Sequence, residues 1–157
     1  MSNSRDSLAG VVISGLLAGA ALSAVLAARS RSERGSAVAP LNAPTHLVRG
    51  ERAAHDDRFR AETTIPGTLI NLGAGVFWAG VMEVLFGRAL RGRGPGASLA
   101  AGAATSALVW LVDYHLIPHR LSPGFQESVS RESLLAAHGA FALALGLGRW
   151  MLRGQGR

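Results

Sequence analysis

Long uncharged, apolar stretches alternate with shorter polar segments along this chain. The stretches cover residues 8–28, 65–87, 97–117 and 133–152. A helix needs about 20 residues to cross a hydrocarbon layer roughly 30 Å thick, because each residue advances it by about 1.5 Å. No alternation typical of a strand is sustained. The pattern predicts an all-α protein, a bundle of four transmembrane helices.

The 157 residues form about one domain, so residues 1–157 are predicted to be a single membrane domain. The only long connection is the polar loop 29–64, whose proline-containing first part we expect to be irregular. Thr45 is placed to cap a short helix from His46 to about Glu62. We predict that this helix lies at the membrane interface.

A cleavable signal peptide is the alternative interpretation of the first stretch. Small residues that would suit a cleavage site occur at Ala21, Ser23 and Ala24. The uncharged run, however, is longer than the roughly 7 to 15 residues of a signal-peptide core. Its length therefore favours a retained helix.

The type and placement of the basic residues also favour a membrane protein. All 16 are arginines, the formal net charge is +6, and most of them flank the apolar stretches. Anionic lipid headgroups account for that placement, and no nucleic-acid-reading motif accompanies the charge. The bilayer is therefore the expected partner, and nucleic acid is not.

The arginines divide nearly evenly between the two membrane faces, so their number does not set the orientation. The turn 88–96 is short and purely basic, whereas the loops of the opposite face mix arginine with acids. Short basic loops favour the cytoplasm. We predict a multi-pass protein of a cell inner membrane with both termini in the cytoplasm.

The histidines are concentrated at one face. The four-span topology places all five histidines there, with Asp113 about four residues inside the third stretch. The third and fourth stretches are joined by a short loop, so Asp113 and His138 can meet. The candidate polar or ligand-binding cluster comprises Asp113, His115, His119, His138 and His46.

Three interpretations of this cluster stay open. In the structural one, Asp113 accepts a hydrogen bond or ion pair from His138 or Arg120. In the second, Asp113, His115, His119 and His138 bind a divalent metal such as zinc, although Pro118 breaks the usual spacing of helical ligands. In the third, the histidines give a proton-linked or pH-sensing role, because imidazole titrates near neutrality.

One further acid lies within an apolar stretch, near the opposite face. Glu83 precedes the end of the second stretch by about one helical turn. Arg88, Arg149 or Arg153 could neutralise it there. We expect Arg149 to extend its long side chain toward the membrane interface.

Small residues recur within the stretches at spacings that suit helix packing. Gly15 and Gly19 form a GxxxG motif in the first, and Gly73 and Gly80 lie in the second. Such residues let helix backbones approach closely. They predict either tight packing within one chain or the interface of a homo-oligomer.

Recognised catalytic motifs are missing from the chain. It has no nucleophile elbow, phosphate-binding loop or zinc-protease motif, and no cysteine for thiol chemistry. We therefore expect a structural or accessory membrane protein rather than an enzyme. The alternative is a small transporter, or a metal- or proton-linked membrane protein, that uses the histidine and aspartate cluster.

Three segments are distinctive as sequence strings. They are PLNAPTH at residues 40–46, the segment 77–83 that begins FWA and ends at Glu83, and residues 113–125, which contain DYH, Pro118 and RLSPGF. Together they resemble a family of small bacterial inner-membrane proteins with no assigned activity. The resemblance covers most of the chain after the first stretch. It implies a four-span inner-membrane protein and no particular chemistry.

Overall fold

The computed structural model describes residues 2–50 and 55–153, with the side chains of residues 8–50, 55–118 and 120–152. Within these ranges the protein is all-helical, without strands. The helices in chain order are α1 (Ser2–Arg34), α2 (Ala39–Asn42), α3 (His46–Arg49), α4 (Ala61–Phe86), α5 (Pro95–Leu111) and α6 (Arg131–Arg153). Four of them, α1, α4, α5 and α6, are long and apolar enough to cross a membrane. The predicted fold class is therefore confirmed.

The long helices extend beyond the apolar stretches. α1 continues through the arginine-rich segment to Arg34, and α4 begins at Ala61. A helix outside the hydrocarbon layer can continue, because its polar side chains are solvated there. The extension of α1 carries Glu33 to the start of α6.

The first part of the long loop is helical, so the expectation of an irregular segment was wrong. The Ser36 hydroxyl accepts hydrogen bonds from the N–H groups of Val38 and Ala39, at 3.3 and 3.2 Å. Pro40 then lies in the first turn of α2, where its missing N–H leaves no bond unmade. A 3₁₀ turn, Ala43–Thr45, follows directly.

The predicted helix from His46 to about Glu62 is much shorter than expected. α3 has four residues and ends before Gly50, whose φ of +82° favours glycine. Thr45 does not cap it, because its hydroxyl donates to the carbonyl oxygen of Thr63 at 2.7 Å. The loop folds back on the start of α4 instead of continuing as a helix.

α1 lies at the centre of the bundle. It packs against α4 on one side and α6 on the other, and α6 packs in turn against α5. α4 and α5 follow one another in the chain, but their contact is less extensive than those of α1 with α4 and α6 or of α5 with α6. The interior between the helices is filled by large apolar side chains, among them Leu22, Leu26, Met82, Phe141 and Leu145.

Two helix pairs approach closely at glycines. A Cβ atom on Gly15 would overlap the backbone of Val76, and one on Gly75 would overlap the carbonyl oxygen of Gly15. Between α5 and α6, a Cβ on Gly146 would lie 2.7 Å from the carbonyl oxygen of Ser98, and one on Gly102 would overlap that of Ala142. Close contact of this kind is a main source of helix association in lipid.

Candidate functional site

The bundle has two polar ends. The loop face carries the connections 35–60 and 117–130, and the terminus face carries the start of α1, the turn 87–94 and the end of α6. Sequence reasoning placed the candidate cluster on the first face and Glu83 near the second.

The last turn of the third span is a π turn. Residues Val112–Leu116 continue α5, and the Ile117 N–H donates to the carbonyl oxygen of Val112 at 3.1 Å. Pro118 has no N–H group with which to extend the helix. A proline also favours an extended backbone in the residue before it, and Ile117 is extended, with φ −87° and ψ 150°. Single π turns within helices occur frequently at functional sites. This one carries Asp113, Tyr114 and His115.

Two aromatic rings of the third span enclose His138 of α6. The centroid of the imidazole lies 5.1 Å from that of Trp110 and 5.8 Å from that of Tyr114. Trp110 and Tyr114 are 5.0 Å apart. They are four residues apart in sequence, so they share a face of the helix that also includes Ser106. The hydroxyl of Ser106 donates to the backbone carbonyl of His138 at 2.9 Å.

Only one of the two ring nitrogens of the buried His138 imidazole has a hydrogen-bond partner. Nδ1 of His138 donates to the carbonyl oxygen of Leu134 at 3.0 Å, while Nε2 is buried without a hydrogen-bond partner. The Tyr114 hydroxyl is likewise buried and unpartnered. Because an unsatisfied buried polar group costs about 1–3 kcal/mol, two of them on neighbouring rings mark this position as unusual. Sequence reasoning singled out His138, interpreted Trp110 only as a packing residue and gave Tyr114 no role. The i, i+4 spacing of Trp110 and Tyr114 was the available signal that both rings lie on one face.

The expected partnership of Asp113 with His138 is not found among the described contacts, where Tyr114 and Trp110 lie against the imidazole instead. Asp113 precedes Tyr114 by one residue, so it projects from a different side of the helix. His115 is exposed, and the side chain of His119 lies outside the described residues.

Within the described side chains, no three or more histidine, aspartate or glutamate residues lie near enough together to hold a metal ion. The suggested ligand set of Asp113, His115, His119 and His138 therefore gains no support from the side chains the structure describes. The metal interpretation of the cluster stays a hypothesis.

His46 joins the two connections of the loop face. Its Nδ1 lies 2.7 Å from the carbonyl oxygen of Ala43, and its Nε2 lies 3.2 Å from that of Arg120. Gly124, with φ of +78°, lies against the same ring, and a Cβ there would be 3.4 Å from its Nδ1 and Cε1. The PLNAPTH string and the RLSPGF string thus meet at one side chain.

The PLNAPTH segment also secures the long loop from within. Asn42 is fully buried, and its amide nitrogen donates to the carbonyl oxygens of Asp56 and Arg58 at 2.7 and 2.9 Å. Its side-chain oxygen accepts from the Thr64 hydroxyl at 2.7 Å. A Cβ on Gly67 would overlap the carbonyl oxygen of Leu41, so the loop lies directly on α4. Sequence reasoning recognised this string without assigning these contacts.

Glu33 connects the end of α1 to the start of α6. Its carboxylate accepts hydrogen bonds from the N–H of Ser130 at 2.7 Å, from the Ser130 hydroxyl at 2.9 Å, and from the hydroxyl of Ser133. A carboxylate at a helix N-terminus is stabilised by the N–H groups that lack partners within the helix. Glu33 was counted only as a loop charge in the sequence, and this role was missed.

At the terminus face Glu83 pairs with Arg149, one of the three candidates. Arg149 Nε lies 3.1 Å from a carboxylate oxygen of Glu83, and its terminal nitrogen donates to the Gly87 carbonyl at 3.4 Å. We expected the Arg149 side chain to extend toward the membrane interface. This was wrong, because the side chain is only 8% exposed and points into the bundle toward Glu83. Ser14, Ala79 and other residues line a small cleft beside the pair.

The four candidate packing glycines behave differently. Gly15 and Gly19 lie where α1 meets α4, and a Cβ on Gly19 would be 3.2 Å from the Asn71 carbonyl oxygen. A Cβ on Gly73 or Gly80 would meet no atom within 4 Å. Gly73 and Gly80 therefore do not serve helix packing within one chain.

Four helices of this length and composition are compatible with an integral, multi-pass membrane protein, which is the class that the fold defines. Comparison with known proteins adds nothing more specific, because no family profile, no curated protein and no solved structure matches the chain.

Proposed function

We propose that the chain is a structural or accessory protein of a bacterial inner membrane, without enzymatic activity, that acts as a homo-oligomer. The proposal includes cytoplasmic termini and membership of the family of small inner-membrane proteins that its sequence strings resemble. The main support is how the polar side chains are used. His46, Asn42, Glu33 and Arg149 all bind groups of their own chain.

The outer face of α4 supports the oligomeric part of the proposal. Only 17% of the apolar part of α4 is buried inside the protein, against 44% of the apolar part of α6. Leu69, Phe77 and Val84 are exposed there, and the open glycines Gly73 and Gly80 leave shallow depressions between them. A second copy of α4 could approach closely at such positions.

Cysteine crosslinking in native membranes tests this arrangement, because the chain contains no cysteine of its own. Gly80→Cys is expected to give a crosslinked dimer, since an added side chain there meets no atom of the same chain. Leu147→Cys, on the exposed side of α6 near the same end, is the matched control and is expected to stay monomeric. Monomer at both positions, and with Gly73→Cys as well, would remove the oligomeric role.

A proton-linked membrane protein is the second candidate. It is favoured by the buried, unpartnered His138 Nε2 and Tyr114 hydroxyl beside the π turn that carries Asp113. Imidazole and carboxylate groups are the usual components of intramembrane proton relays.

Vesicles containing the purified protein and an internal pH indicator distinguish this candidate. The wild-type protein should dissipate an imposed pH gradient several-fold faster than His138→Gln, while His55→Gln in the exposed loop should match the wild type. Equal rates for wild type, His138→Gln and empty vesicles would eliminate proton transport. Metal analysis of wild type and His138→Ala tests the metal version, which fails if neither holds stoichiometric metal.

A further inference from the structure

The two connections of the loop face meet through one histidine whose ring nitrogens both point at backbone carbonyl oxygens. Nδ1 of His46 lies 2.7 Å from the Ala43 oxygen, within its own loop, and Nε2 lies 3.2 Å from the Arg120 oxygen, 74 residues further along the chain. A carbonyl oxygen can only accept a hydrogen bond. Both ring nitrogens must therefore carry a proton for both bonds to exist.

Neutral imidazole has only one N–H group, so it can make only one of these bonds. The contact with Ala43 is the shorter and is local, which favours keeping the remaining proton on Nδ1. The Nε2 lone pair would then face the lone pairs of the Arg120 oxygen, which is repulsive. Loss of one proton thus turns the attraction between the two loops into a repulsion.

We propose that His46 is a proton-dependent latch that holds the long loop against the 117–130 connection when its ring is protonated and releases it when the ring is neutral. The ring is half-buried, so protons from the aqueous phase can reach it. The latch does not depend on the structural role proposed for the whole chain. It gives the loop face a response to pH of its own.

Among the described residues, three of the elements at this contact carry charged groups. Arg49 lies on α3 itself, Arg120 on the turn His119–Leu121, and Glu127 on the turn Phe125–Glu127, which packs beside Ala43. His119 is also on the packed turn, although its side chain is outside the described residues. Replacing His46 itself separates its titration from theirs.

Spin labels measure the loop contact directly in the full chain. Val48→Cys and Leu121→Cys change exposed residues, one on each side of the contact, and no native cysteine competes for the label. In lipid vesicles we expect strong dipolar broadening between the labels at about pH 5.5. Most of it should be lost reversibly by about pH 8, the range over which histidines change charge.

Two substitutions of the same residue give opposite expected results. His46→Gln can place an amide N–H near the Nε2 position at every pH, so the broadening should persist at about pH 8. His46→Asn retains only a donor near the Nδ1 position, so the broadening should be weak even at about pH 5.5. His55→Gln, another histidine of the same loop, is the matched control and should keep the wild-type transition.

The proposal is overturned if the wild-type broadening does not change between about pH 5.5 and 8, or if His46→Asn and His46→Gln titrate like the wild type. Nitrogen NMR of the wild-type imidazole provides an independent reading that needs no substitution. Both His46 ring nitrogens should show attached protons at the acidic end, and a neutral ring in the closed state would contradict the latch.

Discussion

The two polar ends of the bundle are built in different ways. At the terminus face a short turn joins α4 to α5, and the ion pair of Glu83 and Arg149 neutralises two charges within the helices. At the loop face, side chains far apart in the chain bind backbone groups, as Glu33 does at Ser130 and His46 at Arg120. The first end combines a short chain turn between α4 and α5 with an ion pair between α4 and α6. The second depends on individual hydrogen bonds, so single substitutions should loosen it locally.

Removing Arg149 should destabilise the molecule more than any single substitution at the loop face. Arg149→Leu removes the ion pair between Arg149 and Glu83 within the spans, and we expect the free energy of unfolding to fall by about 3 kcal/mol. Reversible unfolding in mixed micelles measures it. Arg91→Leu, which changes an exposed arginine of the adjacent turn, should alter the same quantity by less than about 0.5 kcal/mol.

The double variant Glu83→Leu with Arg149→Leu makes this prediction sharper. Since both charges are then removed together, most of the lost stability should return. If the double variant were as unstable as Arg149→Leu alone, the ion pair would not be the cause of the destabilisation.

Asn42→Leu is expected to have the next largest effect, confined to the loop face. It removes two donated hydrogen bonds and one accepted bond, and we expect a loss of about 2 kcal/mol. Trypsin should also cleave faster after Arg58 and Arg60, because the segment that Asn42 holds becomes free. Val48→Ala in the same loop is the control. An unchanged cleavage rate in Asn42→Leu would show that the hydrogen bonds of Asn42 do not hold the segment that contains Arg58.

The smallest expected effect concerns the contact between α1 and α6. Glu33→Gln keeps an acceptor oxygen but removes the negative charge at the N-terminus of α6, which should lower the free energy of unfolding by less than Asn42→Leu does. Glu132→Gln changes an exposed acid in the first turn of α6 and should lower the free energy of unfolding still less. Equal losses in both variants would mean that the hydrogen bonds to Ser130 and Ser133 contribute little.

The four long helices could be predicted because the length and hydropathy of a span are local properties of the sequence. α2 was missed, because the proline-containing start of the loop was expected to be irregular, whereas Ser36 places Pro40 in a first helical turn. The sequence offered three arginines that could pair with Glu83 and did not single out Arg149. The pairing with Arg149 depends on which side of α6 faces α4, and that is set by the packing of the helices. Tyr114, and not Asp113, lies against His138 because of how the third span is rotated about its axis. The pattern of apolar and polar residues within the span does not reveal that rotation.

The contact of Glu33 with Ser130 and Ser133 has a consequence for how the molecule is made. α1, which is synthesised before the other three spans, finds part of its packing surface and its carboxylate partners only in α6, about 100 residues later. At ribosomal rates of roughly 5 to 20 residues per second, the first span waits many seconds in the membrane before its last neighbour is made. During that interval the Glu33 carboxylate lacks its Ser130 and Ser133 donors, and the face of α1 that packs on α6 is uncovered. A chain shortened before α6 is therefore expected to leave this face of α1 exposed permanently.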